Sequence, residues 1–371
     1  MFETRDGKID STAGRHTLAE ILSQPQCWKD SLTTLHESGQ LAEIARRFGN
    51  TVEWLFVGCG SSYYISLVAA ASWTAITGQR ARAVPASEIL LYSELTLAAS
   101  DKVVAVLISR SGKTSEVVRA AEFFRSRKIA TIAISCAPQQ PLEHAASTAI
   151  ILSQADEQSM AMTRSFTSML LAVQSLAATV AGKTEILEAL RQLPAAAERS
   201  FSGVPERLEH FVARHRFEDY VCLGQGPFYG LAFEAVLKLT EMSCSYGQAF
   251  HTLEFRHGPK SIVAPETLVI FLLSEASYQA EIEVLEEIKG LNATTVAISS
   301  KAEPRARAAA DLFIEFPFDL PEIVRATAYI FVPQLIALYT GLKKGLNPDA
   351  PRNLSRVVML DDESIPQPAV L

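Results

Sequence analysis

Short unbroken apolar runs alternate along the chain with longer amphipathic segments. "EWLFVG" is followed by a Gly-rich turn and the helical pattern of "SSYYISLVAAASW". "VVAVLIS" leads through the polar turn "RSGKT" into "SEVVRAAEFFRSR", and "IATIAISC" closes the set. The same order then returns in "DYVCLGQGPFYGLAFEAVLKLTE", "TLVIFLLSEASYQAEIEVLEEIKG" and "TTVAISS". Gly58 pairs with Gly224, Ser109 with Ser274 and Ser135 with Ser299, at nearly one offset. Continuous β-branched runs are those of strands buried on both faces. Alternation with helices predicts parallel sheets with right-handed crossovers. The expectation is an α/β chain with two doubly wound parallel-sheet sandwiches, two copies of one unit.

The predicted organisation is a helical lead-in over 1–45, a first α/β domain over 46–195, a second over 205–345, and a tail over 346–371. Pro, Ser and Ala thin the pattern between Leu193 and Arg207, which places the boundary there. The stretch Ala326–Leu342 is apolar but shorter than the roughly 20 residues of a membrane span, and it contains Pro333 and Gln334. It is read as a buried helix or a subunit contact.

Composition narrows the classes. The chain has 371 residues, 48% hydrophobic and 20% charged, as an ordinary globular protein does. A net charge of -7 argues against nucleic-acid or anionic-membrane partners, though backbone N–H groups at a helix start can still hold a small anion. Five scattered cysteines without a CxxC pair suit buried thiols in a reducing cytoplasm. The opening "MFETRDGKID" lacks the character of a signal peptide.

In open α/β sheets ligands sit beyond the carboxyl ends of the strands. Three turns belong there: "GCGSS" (Gly58–Ser62, including Gly60 and Ser61), "SRSGKT" (Ser109–Thr114) and "GQGPF" (Gly224–Phe228). Ser109, Ser111 and Thr114 supply hydroxyls, Gly112 lets the backbone bend, and the helix that follows offers free N–H groups. That is a neutral phosphate cradle, and also a plausible N-cap. Neither GxGxxG nor GxxxxGK[ST] is present, which disfavours NAD and ATP. Within "LKLTEMSCSYGQAFHTLEFRHGP", Lys238 and Glu241 share one face of an apolar helix. Glu254 and His257 follow on a stretch read as a loop. Glu241, Glu254 and His257 are therefore expected together on one αβ connection on the ligand side. His251 and His257 lack the spacing of metal ligands, and no metal or cofactor is expected. A carboxylate and an imidazole in such company suit aldose–ketose proton transfer.

Six motifs, in order, resemble the sugar isomerase (SIS) domain family in its double form: "LAEILSQPQCWKDSL", "GCGSSYY", "SRSGKTSE", "AMTRSFTSML", "EAVLKLTE…LEFRHGP" and "PRNLSRVV". The resemblance is to the isomerase half of glucosamine-6-phosphate synthase and its stand-alone relatives, and covers nearly the whole chain. It implies phosphate contacts from Ser62, Ser109, Arg110, Ser111 and Thr114, with Gly60, Ser61, Thr163 and Glu254 also about the substrate. It implies Glu241 as the base between the first two carbons, Lys238 beside it, and His257 in ring opening, supplied by the partner of a homodimer with shared sites. Met162 stands where the family has a small Ser, Arg164 where it has Lys, and Arg356 where its tail Lys lies. A permanently protonated Arg forms no imine with a sugar. With no glutaminase domain read in this chain, the resemblance implies an aminosugar-6-phosphate deaminase. The rivals are a plain aldose–ketose isomerase or fructosamine-phosphate deglycase and, from another class, a non-catalytic sugar-phosphate sensor.

Overall fold

The computed structural model describes residues 12–97 and 102–360. The opening "MFETRDGKID" and the tail prolines Pro366 and Pro368 lie outside the described residues. The chain divides into two compact units: residues 26–157, 164–191 and 355–371 in one, residues 1–25, 158–163 and 192–354 in the other.

The first of these holds a five-stranded sheet of β1 (Glu53–Gly58), β2 (Arg80–Pro85), β3 (Val103–Ile108), β4 (Ala130–Ser135) and β5 (Thr148–Ile151) in the order β2-β1-β3-β4-β5. The other holds β6 (Asp219–Gly224), β7 (Tyr246–Phe250), β8 (Thr267–Leu272), β9 (Thr294–Ser299) and β10 (Leu312–Glu315), ordered β10-β9-β8-β6-β7. Every pairing is parallel. Read from the other edge, the second order repeats the first, so the expected duplication of a doubly wound α/β unit is what the chain forms. Gly60 and Gly226 even share one conformation, φ 55° with ψ -128° and -124°.

One face of each sheet packs on its own helices. In the first, Leu55, Val57, Ala105 and Leu107 meet Val117 and Phe124; in the second, Val221, Leu223, Val269 and Phe271 meet Ile282 and Leu285. These are alternate positions along each strand, as the pleat demands. Gly58 and Gly224 are fixed by the turns. A Cβ would fall 2.5 Å from the Ser62 carbonyl carbon in one and 2.4 Å from the Phe228 oxygen in the other.

Several expectations need correction. β2, β5, β7 and β10 flank the central strands with partly exposed patterns and were not among the runs read as strands. The stretch read as a loop after Ser243 contains β7. The thinned segment near Leu193 is helical, Thr184–Phe201 with Pro194 inside, followed by Val204–Arg214. Cys27, Cys136 and Cys222 are buried, but Cys244 is exposed. The stretch Ala326–Leu342 forms a 3₁₀ turn and the helix Phe331–Lys343, with residues 326–341 buried within the chain. The longer span Glu322–Lys343 has the length and hydropathy of a membrane helix, but 94% of its apolar window is buried. It is a core helix and offers no free apolar face to a partner subunit.

Candidate active site

The first sheet's unit carries the polar turn. Ser109 follows β3 and its Oγ lies 3.1 Å from Thr114 Oγ1. Ser111 Oγ accepts from the Lys113 amide at 3.2 Å. Gly112 sits at φ 63°, where a Cβ would come 2.8 Å from Gln140 Cβ, so only glycine closes the turn. The helix Ser115–Ser126 begins directly after it, leaving backbone N–H groups at the turn. Arg110 is buried, and its Nη1 meets Glu157 at 3.1 Å. Glu157 also accepts from the Ser165 amide at 3.2 Å and from Ser165 Oγ. Arg110, expected to contact phosphate, is thus tied through Nη1 to an internal carboxylate of the same unit. In "GCGSS", Ser61 and Ser62 are buried and Gly60 is exposed. Burial and the Glu116 charge push the Cys59 thiol up to about 12, which makes it a poor nucleophile.

Residues Ser355–Leu360 lie against the start of the same helix. The Val358 carbonyl accepts from the Ser115 amide at 3.4 Å, and Ser115 Oγ accepts from the Leu360 amide at 3.0 Å. Arg356 pairs with Asp156 at 2.6 Å with both side chains partly exposed.

The second sheet's unit carries the charged helix, Pro227–Ser243. Lys238 is fully buried between two carboxylates, 2.5 Å from Glu241 Oε2 and 3.2 Å from Glu234 Oε1. Burial alone would lower the Lys238 pKa, but Glu234 and Glu241 more than offset it and hold it above the usual lysine value. The result is a fixed ammonium. Sequence reasoning missed Glu234, although its i,i+4 spacing to Lys238 places it one turn earlier on the same face. The Glu241 side chain is 16% exposed. It opens on a cavity of about 190 Å³ also lined by Met242, Cys244, Asn347, Pro351 and Arg352. Lys344 caps the helix end, donating to the Ser243 carbonyl at 3.1 Å and Ser245 Oγ at 2.7 Å. Thr163, expected about the substrate, is fully buried, and its carbonyl accepts from Gln334 at 3.4 Å.

Glu241 and His257 do not meet within this unit. The helix runs back from the carboxyl end of β6, and Tyr246 opens β7 level with Asp219 at the amino end. Glu241 therefore lies toward the amino end of the sheet. Glu254 and His257 follow Phe250, which is level with Leu223 at the other end, about 15 Å away along a five-residue strand. Both are exposed. The expected meeting on one ligand-side connection is overturned by β7, the strand that intervenes.

Two parallel five-stranded sheets of one topology, each with a Gly-x-Gly turn, define a duplicated α/β chain. The SIS domain family matches residues 53–179 of the chain. The chain is 26% identical over 348 residues to the glutamine–fructose-6-phosphate aminotransferase (isomerizing) of Methanothermobacter thermautotrophicus, covering 93% of this chain and 57% of that one. The chain thus spans little more than half the length of the curated relatives it matches. Among solved structures it resembles the glucosamine-6-phosphate deaminase of Thermotoga maritima, at 26% identity and TM-score 0.72 over 92% of this chain and 100% of that one. The tagatose-6-phosphate ketose/aldose isomerase of Escherichia coli shares the fold, at TM-score 0.80 and 24% identity over 91% of this chain and 95% of that one.

Proposed function

We propose that the protein is a phosphosugar isomerase that needs no cofactor and releases ammonia: an aminosugar-6-phosphate deaminase of the cytoplasm, taking glucosamine-6-phosphate and water to fructose-6-phosphate and ammonia. The observation that carries the reading is the Glu234–Lys238–Glu241 triad at the mouth of a cavity. Lys238, held as an ammonium, engages one oxygen of Glu241 and orients the carboxyl group. The other oxygen is left to take the proton from carbon 2 of the opened sugar and return it to carbon 1. The nitrogen at carbon 2 is then an imine, and water hydrolyses it. The hydroxyls of Ser109, Ser111 and Thr114 and the helix-start amides would hold the 6-phosphate, with Ser62 nearby and Arg110 supporting the turn.

His257 opens the ring. Its distance from Glu241 along β7 supports the reading that each site takes His257 from the second copy in a homodimer. Arg356, ion-paired to Asp156, would contribute charge but no imine. The similarity to a glucosamine-6-phosphate deaminase supports the ammonia-releasing form. A panel of 6-phosphosugars and 6-phospho-aminosugars, assayed for ammonia and for ketose, tests the proposal. Ketose formation without ammonia from any aminosugar would make the protein a plain aldose–ketose isomerase, and binding without turnover a sensor.

A further inference from the structure

The turn after β8 repeats the polar turn after β3: the Leu273 amide donates to the Ile298 carbonyl as the Ser109 amide donates to the Ile134 carbonyl, so Ser274 follows one residue beyond the place of Ser109. The two are used differently. Ser109 pairs with the hydroxyl of Thr114. Ser274 is gripped by a carboxylate of the chain itself: Glu281 Oε2 accepts from the Ser274 amide at 2.7 Å and from Ser274 Oγ at 2.9 Å. Ser274 Oγ lies 2.7 Å from Ser277 Oγ. Glu281 is fully buried. A buried carboxyl group of the chain thus occupies this turn.

Helix capping does not account for this arrangement. Ser277 is the N-cap residue of the helix Tyr278–Gly290. A capping box would send the third helical residue back to the cap amide. Glu281 is the fourth, and it reaches three residues beyond the cap. Its second oxygen, Oε1, accepts from Thr252 Oγ1 at 3.0 Å, and Thr252 belongs to a different connection. Thr252 is itself buried and begins the segment that ends in His257. From there three backbone bonds coil the segment: Phe255 to the His251 carbonyl at 3.1 Å, Arg256 to Leu253 at 3.3 Å and His257 to Glu254 at 3.0 Å. A second tie runs from Arg256 Nε to Glu287 at 2.8 Å, with Lys260 on the same carboxylate. It is partly exposed and weakened by solvent. Glu281 is the dry anchor.

We propose that Glu281 is a positioning residue: its buried carboxyl group fills the turn after β8 and, through Thr252, fixes the segment His251–Gly258 that presents His257. Its catalytic consequence rests on the ring-opening role given to His257 above; the clamp does not. A carboxylate with two oxygens suits the task, because one can serve the turn while the other serves the segment. Glutamine has the same reach, with its oxygen toward Ser274 and its amide toward a Thr252 hydroxyl that then accepts. Alanine has neither.

The test uses the full-length chain with Thr252→Val, Glu281→Gln and Glu281→Ala. Amide hydrogen exchange reads the segment directly. In Thr252→Val the amides of Phe255, Arg256 and His257 should exchange at least about tenfold faster while β8 stays protected. Glu281→Gln should stay close to wild type. In turnover, Thr252→Val should lower kcat about tenfold at unchanged KM on a cyclising 6-phosphosugar. It should leave turnover of a 5-deoxy analogue, which cannot close a pyranose ring, unchanged. Should Glu281→Ala fail to fold, the other two variants still decide. Unchanged exchange in Thr252→Val overturns the clamp. Equal losses on cyclising and 5-deoxy substrates overturn its link to ring opening. A wild-type chain that turns over no phosphosugar would instead refute the isomerase reading, with the exchange result still deciding on the clamp.

Discussion

Gly341 lies directly beneath the carbonyl of Met242: a Cβ there would stand 2.2 Å from that oxygen. The helices Phe331–Lys343 and Pro227–Ser243 touch backbone to backbone at this point, one residue from Glu241. Gly341→Ala should force the helices apart, at a cost of about 1–3 kcal/mol. Thermal unfolding should show a fall in Tm of several degrees, on the order of 2–4 °C per kcal/mol. The kcat should fall with it, since the displaced end carries Glu241.

Glu241→Gln keeps the shape and one acceptor for Lys238 but removes the base. The kcat should drop at least about a hundredfold, with substrate Kd within a few-fold. Exchange of the carbon-2 proton with deuterated solvent, followed by NMR, should vanish. Exchange at the wild-type rate would remove Glu241 from the role.

Ser111→Ala and Thr114→Ala should each raise KM for a 6-phosphosugar about tenfold, for one lost hydrogen bond of roughly 1.5 kcal/mol. The test is specific to phosphate, because binding of the unphosphorylated sugar should not change. An unmoved KM in the double variant would place the phosphate elsewhere.

Glu241→Gln and His257→Ala chains, each inactive alone, should regain part of the activity when mixed and allowed to exchange subunits. A hybrid dimer assembles one site with both groups intact. No recovery after subunit exchange has been verified by mass spectrometry would mean that each chain supplies its own His257.

His36 gives a pH signature in stability. Burial, aided by the Arg191 charge, holds its pKa below the ordinary 6.5, and Nε2 lies 3.1 Å from Ser175 Oγ. A depressed folded pKa means that the unfolded chain takes up the proton first. The stabilising contribution is present above about pH 6.5 and is lost as pH falls through the folded value. Tm measured from about pH 7 down to about pH 5 should fall more steeply for the wild type than for His36→Gln.

The central strands were legible because burial on both faces forces continuous apolar runs, and the duplication because glycines recur where turn and helix start collide. The four strands outside that frame were not. Arg80–Pro85 is only partly buried, and its apolar positions are mostly small alanines, while Tyr246–Phe250 carries Gly247 and Gln248, neither with a strand signal. That one missed strand also misplaced the site. Glu241 and His257 are close in sequence, but a strand between two groups carries them to opposite ends of a sheet. Lys238 was legible as a neighbour of Glu241, and Glu234 was within reach one turn earlier; the complete burial of Lys238 was not legible, because the packing of the helix Phe331–Lys343 lies outside any local window. Arg110 shows the same limit, since nothing near it in sequence announces Glu157.

The helix Arg15–Leu22 has no side-chain cap of its own. Its free amides are met by Asp349, which accepts from Thr17 N and Oγ1 at 2.7 Å and from His16 N at 3.2 Å, while Asn347 accepts from Gly14 N at 3.0 Å. These partners emerge from a ribosome 332 or 333 residues after the groups they satisfy. The helix Arg15–Leu22 therefore cannot be capped until the segment with Asn347 and Asp349 has been made, and until then its amino end is without the partners it is built for.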